Sequence, residues 1–155
     1  MSGEKGLLAA QGYIELLMFE DAIHELDNLP EPERGSEAAL HMRLFILMRG
    51  RRWDDALAIC GRLREAEPGN TTGYIHGAFC LHEMGRTREA RELLLGGPSE
   101  LLQEPTYHYN LGCYAAVLGD LERAKKHLDD SFKMDGKFRT IAKLDPDLHA
   151  VKDFL

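Results

Sequence analysis

The sequence predicts an all-α fold in which one helical unit is repeated four times. Three observations carry that expectation. Ala22, Ala56, Ala90 and Ala124 stand 34 residues apart, and self-similarity at a fixed period of this length marks stacked helix–turn–helix units. Ala56, Ile59, Cys60 and Leu63 follow the i, i+3, i+4, i+7 rule of a helix buried on one face, and Leu121, Ala124, Leu128 and Phe132 line a face in the same way. Acidic residues gather where the second helix of each unit should begin, at Glu20-Asp21, Asp54-Asp55, Glu89 and Glu122; negative charge there complements the positive end of the helix dipole.

The alanine register orders the rest of the chain into columns. Three residues before each alanine come Phe19, Trp53, Thr87 and Leu121; four residues after come Leu26, Cys60, Leu94 and Leu128. Turn glycines fall five residues before the alanine at Gly85 and Gly119 and one position earlier at Gly50, whereas Leu17 holds that place in the first unit. Pro30, Pro68, Pro98 and Pro105 punctuate the joins between units. Residues 28–36, with two prolines, form the most loop-like segment. Gly96-Gly97-Pro98 should end the second helix of the third unit early, with Ser99 capping a short turn through Leu101 and Leu102. Beyond 138, a helix is expected around Lys137–Leu144, then a reset at Asp145-Pro146-Asp147 and a final short helix from Leu148 to Phe154.

The period and its columns resemble the tetratricopeptide repeat (TPR) family, and Leu111-Gly112, Gly119 and Ala124 of the last unit give the best local match. The resemblance covers about nine-tenths of the chain and implies a TPR-type α-solenoid of antiparallel helix pairs in a right-handed superhelix. It places the units at 3–36, 37–70, 71–104 and 105–138, with 139–155 as C-terminal capping helices, since the ends of a solenoid need a polar cover. This ending is similar to the closing segments of bacterial TPR proteins. In the family, the recurring alanine sits where the two helices of a unit come closest.

The resemblance also implies a concave surface lined by the first helix of every unit. Its candidate partner-binding residues are Leu7, Gln11, Ile14, His41, Phe45, Met48, Ile75, Phe79, His82, Tyr109 and Cys113. Few of them are charged, and an exposed row this apolar implies that something covers it. The expected partner is another protein or peptide with apolar anchors. Self-coverage is the alternative, by segment 139–155 or by a second copy in a homo-oligomer or scaffold. The TPR subclass that grips acidic chaperone tails uses basic residues that these columns lack. By size and groove character, the chain is similar instead to small bacterial TPR chaperones that mask hydrophobic segments.

Composition bounds the remaining classes. A hydrophobic content of 44% with 29% charged residues is that of a folded domain. A net charge of −7 disfavours nucleic-acid binding. No run approaches the ~18 apolar residues of a membrane span, and no secretory leader is visible. Cys60, Cys80 and Cys113 form no CxxC pair and read as reduced packing residues, which makes the cytoplasm the expected compartment. There is no GxSxG, phosphate-binding glycine loop or HExxH, so no catalysis and no cofactor are expected. The seven histidines show no metal-ligand spacing, and no metal is expected either. The basic run Arg49–Arg52 reads as a solvated turn, or as a contact for an acidic partner.

Overall fold

The computed structural model describes residues 2–155, which are helical throughout their ordered elements; no strand occurs among them. The helices are α1 (Ser2–Glu15), α2 (Phe19–Asp27), α3 (Glu37–Arg49), α4 (Trp53–Ala66), α5 (Thr72–Glu83), α6 (Thr87–Leu95), α7 (Pro105–Val117), α8 (Leu121–Met134) and α9 (Lys137–Ala142). Short 3-10 segments span Glu33–Gly35, Ser99–Gln103 and Pro146–Phe154. Helices α1 and α2, α3 and α4, α5 and α6, and α7 and α8 pack as consecutive pairs.

The columns explain the pairing. Ala22, Ala56, Ala90 and Ala124 are fully buried, and so are Leu26, Cys60, Leu94 and Leu128 one turn later. A methyl group at the crossing lets the partner helix approach, and the larger residue beyond it fills the layer between them. Phe19, Trp53, Thr87 and Leu121 are the first residues of α2, α4, α6 and α8. The chain reverses before each of them in a turn held by backbone hydrogen bonds, such as Met18 N–H to Tyr13 O and Asp120 N–H to Ala115 O, both 2.8 Å.

Those turns place a left-handed residue at the same register in every pair: Leu17 (φ 61), Arg51 (φ 58), Gly85 (φ 78) and Gly119 (φ 84). In the second turn the strained position therefore belongs to Arg51, and Gly50 beside it has an ordinary φ of −82. Elsewhere the local chemistry is as the residue types suggest. Ser36 caps α3 by accepting from the Ala39 N–H at 3.3 Å, and Pro105 opens α7, where its missing N–H leaves no bond unmade. Ser99 is not a cap: Pro98 holds the extended capping position and Ser99 begins the 3-10 turn.

The chain divides into two compact units, one ending at Glu67 and the other running Pro68–Leu155. The first has its core between α1, α2 and α3, with Ala10, Ile14, Leu26, Leu29 and Ile46 buried together. In the second, α5 to α8 surround Leu94, Leu101, Leu111, Tyr114 and Leu128. There α9 packs on α8, and the last 3-10 segment lies across α7 and α8 with Leu148 and Val151 buried. That final segment is not the regular helix its sequence suggests, because Val151 (φ −117) breaks it.

Candidate functional site

In the first unit the candidate residues divide by accessibility. Ile14 is buried in the core and Leu7 packs against it. Gln11 is exposed and donates to Glu15 at 3.3 Å. His41 lies 3.2 Å from Glu67. A hydrogen bond to the same Glu67 holds the Glu37 carboxyl above its usual pKa range. Met48 is half-buried, and Phe45 remains 46% exposed.

Phe45 is the centre of a cluster that the column pattern alone did not reveal. Its ring meets Phe19 edge-on at 6.3 Å. The Arg49 guanidinium lies 5.7 Å from the Phe19 centroid and 6.0 Å from that of Phe45, within cation–π range of both. Beside it, Phe19, Ile23, Ile46 and Leu47 line an open cavity of about 450 Å³ whose polar boundary includes Glu20, Arg49 and Arg52. Leu16, Leu17 and Met18, in the turn leading into α2, are also exposed.

The second unit treats its candidate residues differently. Ile75 and Phe79 are half-buried on α5. His82, Tyr109 and Cys113 are drawn together beneath the returning C-terminal segment, with Tyr109 6% and Cys113 4% exposed. The Tyr109 hydroxyl donates to Asp145 Oδ2 at 2.6 Å, and the Cys113 thiol reaches the same oxygen at 3.6 Å. The other oxygen, Oδ1, accepts the Asp147 N–H at 3.0 Å. His82 bonds to Asp147 Oδ2 through Nε2 and to the Thr87 hydroxyl through Nδ1, both at 2.8 Å. Tyr109 also stacks at a tilt on Phe138, with centroids 5.1 Å apart.

This arrangement holds its protons firmly. Burial first, then the Asp145 and Asp147 carboxylates, push the Cys113 thiol well above its usual pKa. Burial and the bond to Asp145 do the same to the Tyr109 phenol. Tyr114, whose ring lies 4.9 Å from His82, has a fully buried hydroxyl without a hydrogen-bond partner. Cys113, Asp145 and Asp147 are also the one group of three whose donor atoms come within metal-ligating reach among the described residues. Chain separation hid the group from sequence reasoning: Asp145 and Asp147 stand in what reads as a turn, more than thirty residues from Cys113.

Residues 47–111 match the family model described as Tetratricopeptide repeat. Tetratricopeptide repeats are thereby identified over that segment of the chain. Its repeat architecture is shared with a solved MamA RS-1 ArsTM double mutant at a TM-score of 0.77 and 15% identity, over 88% of this chain and 76% of that one. MamA MSR-1 C2 matches at a TM-score of 0.74 and 16% identity, over 88% and 78% of the two chains. No curated protein sequence gives a match. Tetratricopeptide repeats serve as protein-interaction modules, and the described residues include no helix long and apolar enough to cross a membrane.

Proposed function

We propose that the protein is a non-enzymatic adaptor or small chaperone that takes an apolar segment of a partner protein on the faces of its first helices. The observation that carries this reading is Phe45, a half-exposed aromatic beside an apolar cavity of about 450 Å³. Burying a Leu- or Phe-sized anchor there contributes about 1.5–3 kcal/mol. Three or four such anchors, together with the main-chain and polar contacts that accompany them, would have to offset the cost of ordering the segment. Arg49 above the two rings favours an anchor with a carboxylate next to it.

A library of short peptides carrying apolar anchors tests the proposal. Binders should lose at least about ten-fold in affinity, roughly 1.4 kcal/mol, on Phe45→Ala, with helix content unchanged. Binders indifferent to both Phe45→Ala and Phe79→Ala would exclude these faces.

One observation favours the alternative, a structural subunit that assembles with itself or scaffolds a complex. Ile141, Leu144 and Phe154 turn apolar side chains outward from the C-terminal segment, where an end-to-end contact between copies could form. Sedimentation over a wide concentration range separates the two: a constant monomer supports the adaptor, and progressive assembly supports the subunit.

A further inference from the structure

We propose that the side chains pinning the C-terminal segment of the second unit form a zinc-class divalent cation site, with Cys113, Asp145 and Asp147 as ligands and His82 completing the set. The donor geometry is close to what such an ion needs. One atom each from Cys113, Asp145 and Asp147 lies within 4.8 Å of the other two. In a tetrahedral site with Zn–S of about 2.3 Å and Zn–O of about 2.0–2.2 Å, donors sit roughly 3.3–3.6 Å from one another. The Cys113 Sγ to Asp145 Oδ2 separation is already 3.6 Å, and His82 Nε2 stands 2.8 Å from Asp147 Oδ2. Small rotations of the side chains would suffice.

The chemistry of the set points to the class of ion. Thiolate and imidazole with two carboxylates suit a borderline-soft cation and not magnesium or calcium, which take oxygen alone. The surroundings also resemble support for ligands. Thr87 engages His82 Nδ1 at 2.8 Å; when it accepts the Nδ1 proton, it leaves the Nε2 lone pair for a metal. Tyr109 donates to Asp145 at 2.6 Å and fixes that carboxylate's orientation. Partners of this kind orient metal ligands and raise their affinity.

A second observation is independent of the cluster. The Tyr114 hydroxyl is buried and unpartnered, and its ring lies 4.9 Å from that of His82. Buried polar atoms rarely go unpaired, and a water held as a fifth ligand beyond the four protein donors would supply the missing partner. Binding proceeds by ligand exchange: the ion sheds water, Cys113 releases its thiol proton to solvent, and no redox step is involved. The ion would join α5 and α7 to the C-terminal segment.

Cobalt(II) is the probe, titrated into the full chain after chelator treatment. The expected result is a saturable thiolate-to-cobalt charge-transfer band at one equivalent, bleached by added zinc, and a melting temperature raised by several degrees. Cys113→Ser should abolish the band, and Asp147→Asn should weaken binding about ten-fold or more. Cys60→Ser and Cys80→Ser should leave the band intact. Absence of a saturable band in the unaltered protein, or an undiminished band in Cys113→Ser, would overturn the proposal. If Cys113→Ser fails to fold, His82→Gln replaces it: an unchanged affinity removes His82 from the ligand set, and a weakened one supports it.

Discussion

The recurring left-handed residue yields substitutions of opposite sign at equivalent positions. Gly119 holds φ 84, and a Cβ built there meets nothing within 4 Å, so Gly119→Ala carries no steric clash. Its cost is conformational, about 1–2 kcal/mol for an L-residue in the left-handed region, offset by about 0.4–1 kcal/mol of lost unfolded-state entropy. The net loss is about 1 kcal/mol. Arg51 holds the same conformation at φ 58 and is exposed. Arg51→Gly relieves that strain against a glycine entropy penalty of about 0.5–1 kcal/mol, for a net gain of about 0.5–1 kcal/mol. Leu17 is 63% exposed, and Leu17→Gly sacrifices its remaining apolar burial, about 0.5–1 kcal/mol, which brings it close to neutral. Urea unfolding reads all three. Trp53, the single tryptophan, reports on the unit that holds Leu17 and Arg51, while circular dichroism follows both units. A difference of about 1 kcal/mol moves the melting temperature by roughly 2–4 °C in a chain of this size. A loss of stability in Arg51→Gly, or a gain in Gly119→Ala, would refute the shared turn geometry.

Two further outcomes follow from the second unit. Leu148 is the fully buried side chain by which the C-terminal segment docks, so Leu148→Ala, a change that costs about 2–5 kcal/mol in a core, should loosen that segment and speed alkylation of Cys113 in mapped peptides; unchanged protection of Cys113 would contradict the packing. His127 is held below its usual pKa of 6.5, first by burial and then by His108, so the unfolded chain takes up the proton more readily. This contribution to stability is complete above the unfolded value and is lost as the pH falls below it. The drop in urea midpoint from pH 7 to about pH 5.5 should be smaller in His127→Gln.

The parts of the fold legible in the sequence are those that repeat. A helix pairing repeated at a fixed period asks for a small residue at the same place in each copy, and all four alanines are buried. The turn geometry repeats just as strictly, but its sequence signal does not, because an exposed turn tolerates the strain of leucine or arginine. Gly50 therefore drew attention that belonged to Arg51. Which candidate residues stay accessible could not be read from the columns. His41, Phe45 and Met48 keep accessible surface in the first unit, whereas Ile14 is taken into the core. Nothing periodic announces that Asp145 and Asp147 return to His82, Tyr109 and Cys113, since such contacts are made once in the chain.

The manner of that return distinguishes a cover from a latch. A solenoid end needs only its apolar face hidden, and Leu148 and Val151 supply apolar burial for that purpose. Apolar burial is non-directional, so a segment held by it alone could slide along α7 and α8 at little cost. The bonds from Tyr109 and Cys113 to Asp145, and from His82 to Asp147, favour one register because hydrogen bonds weaken steeply when donor and acceptor shift out of line. Tyr109→Phe and His82→Leu each remove one of these bonds and retain much of the packing volume. They should leave the segment docked but heterogeneous, with amide exchange across 143–155 accelerated more than overall stability falls. A segment equally well protected in both variants would make burial alone its anchor.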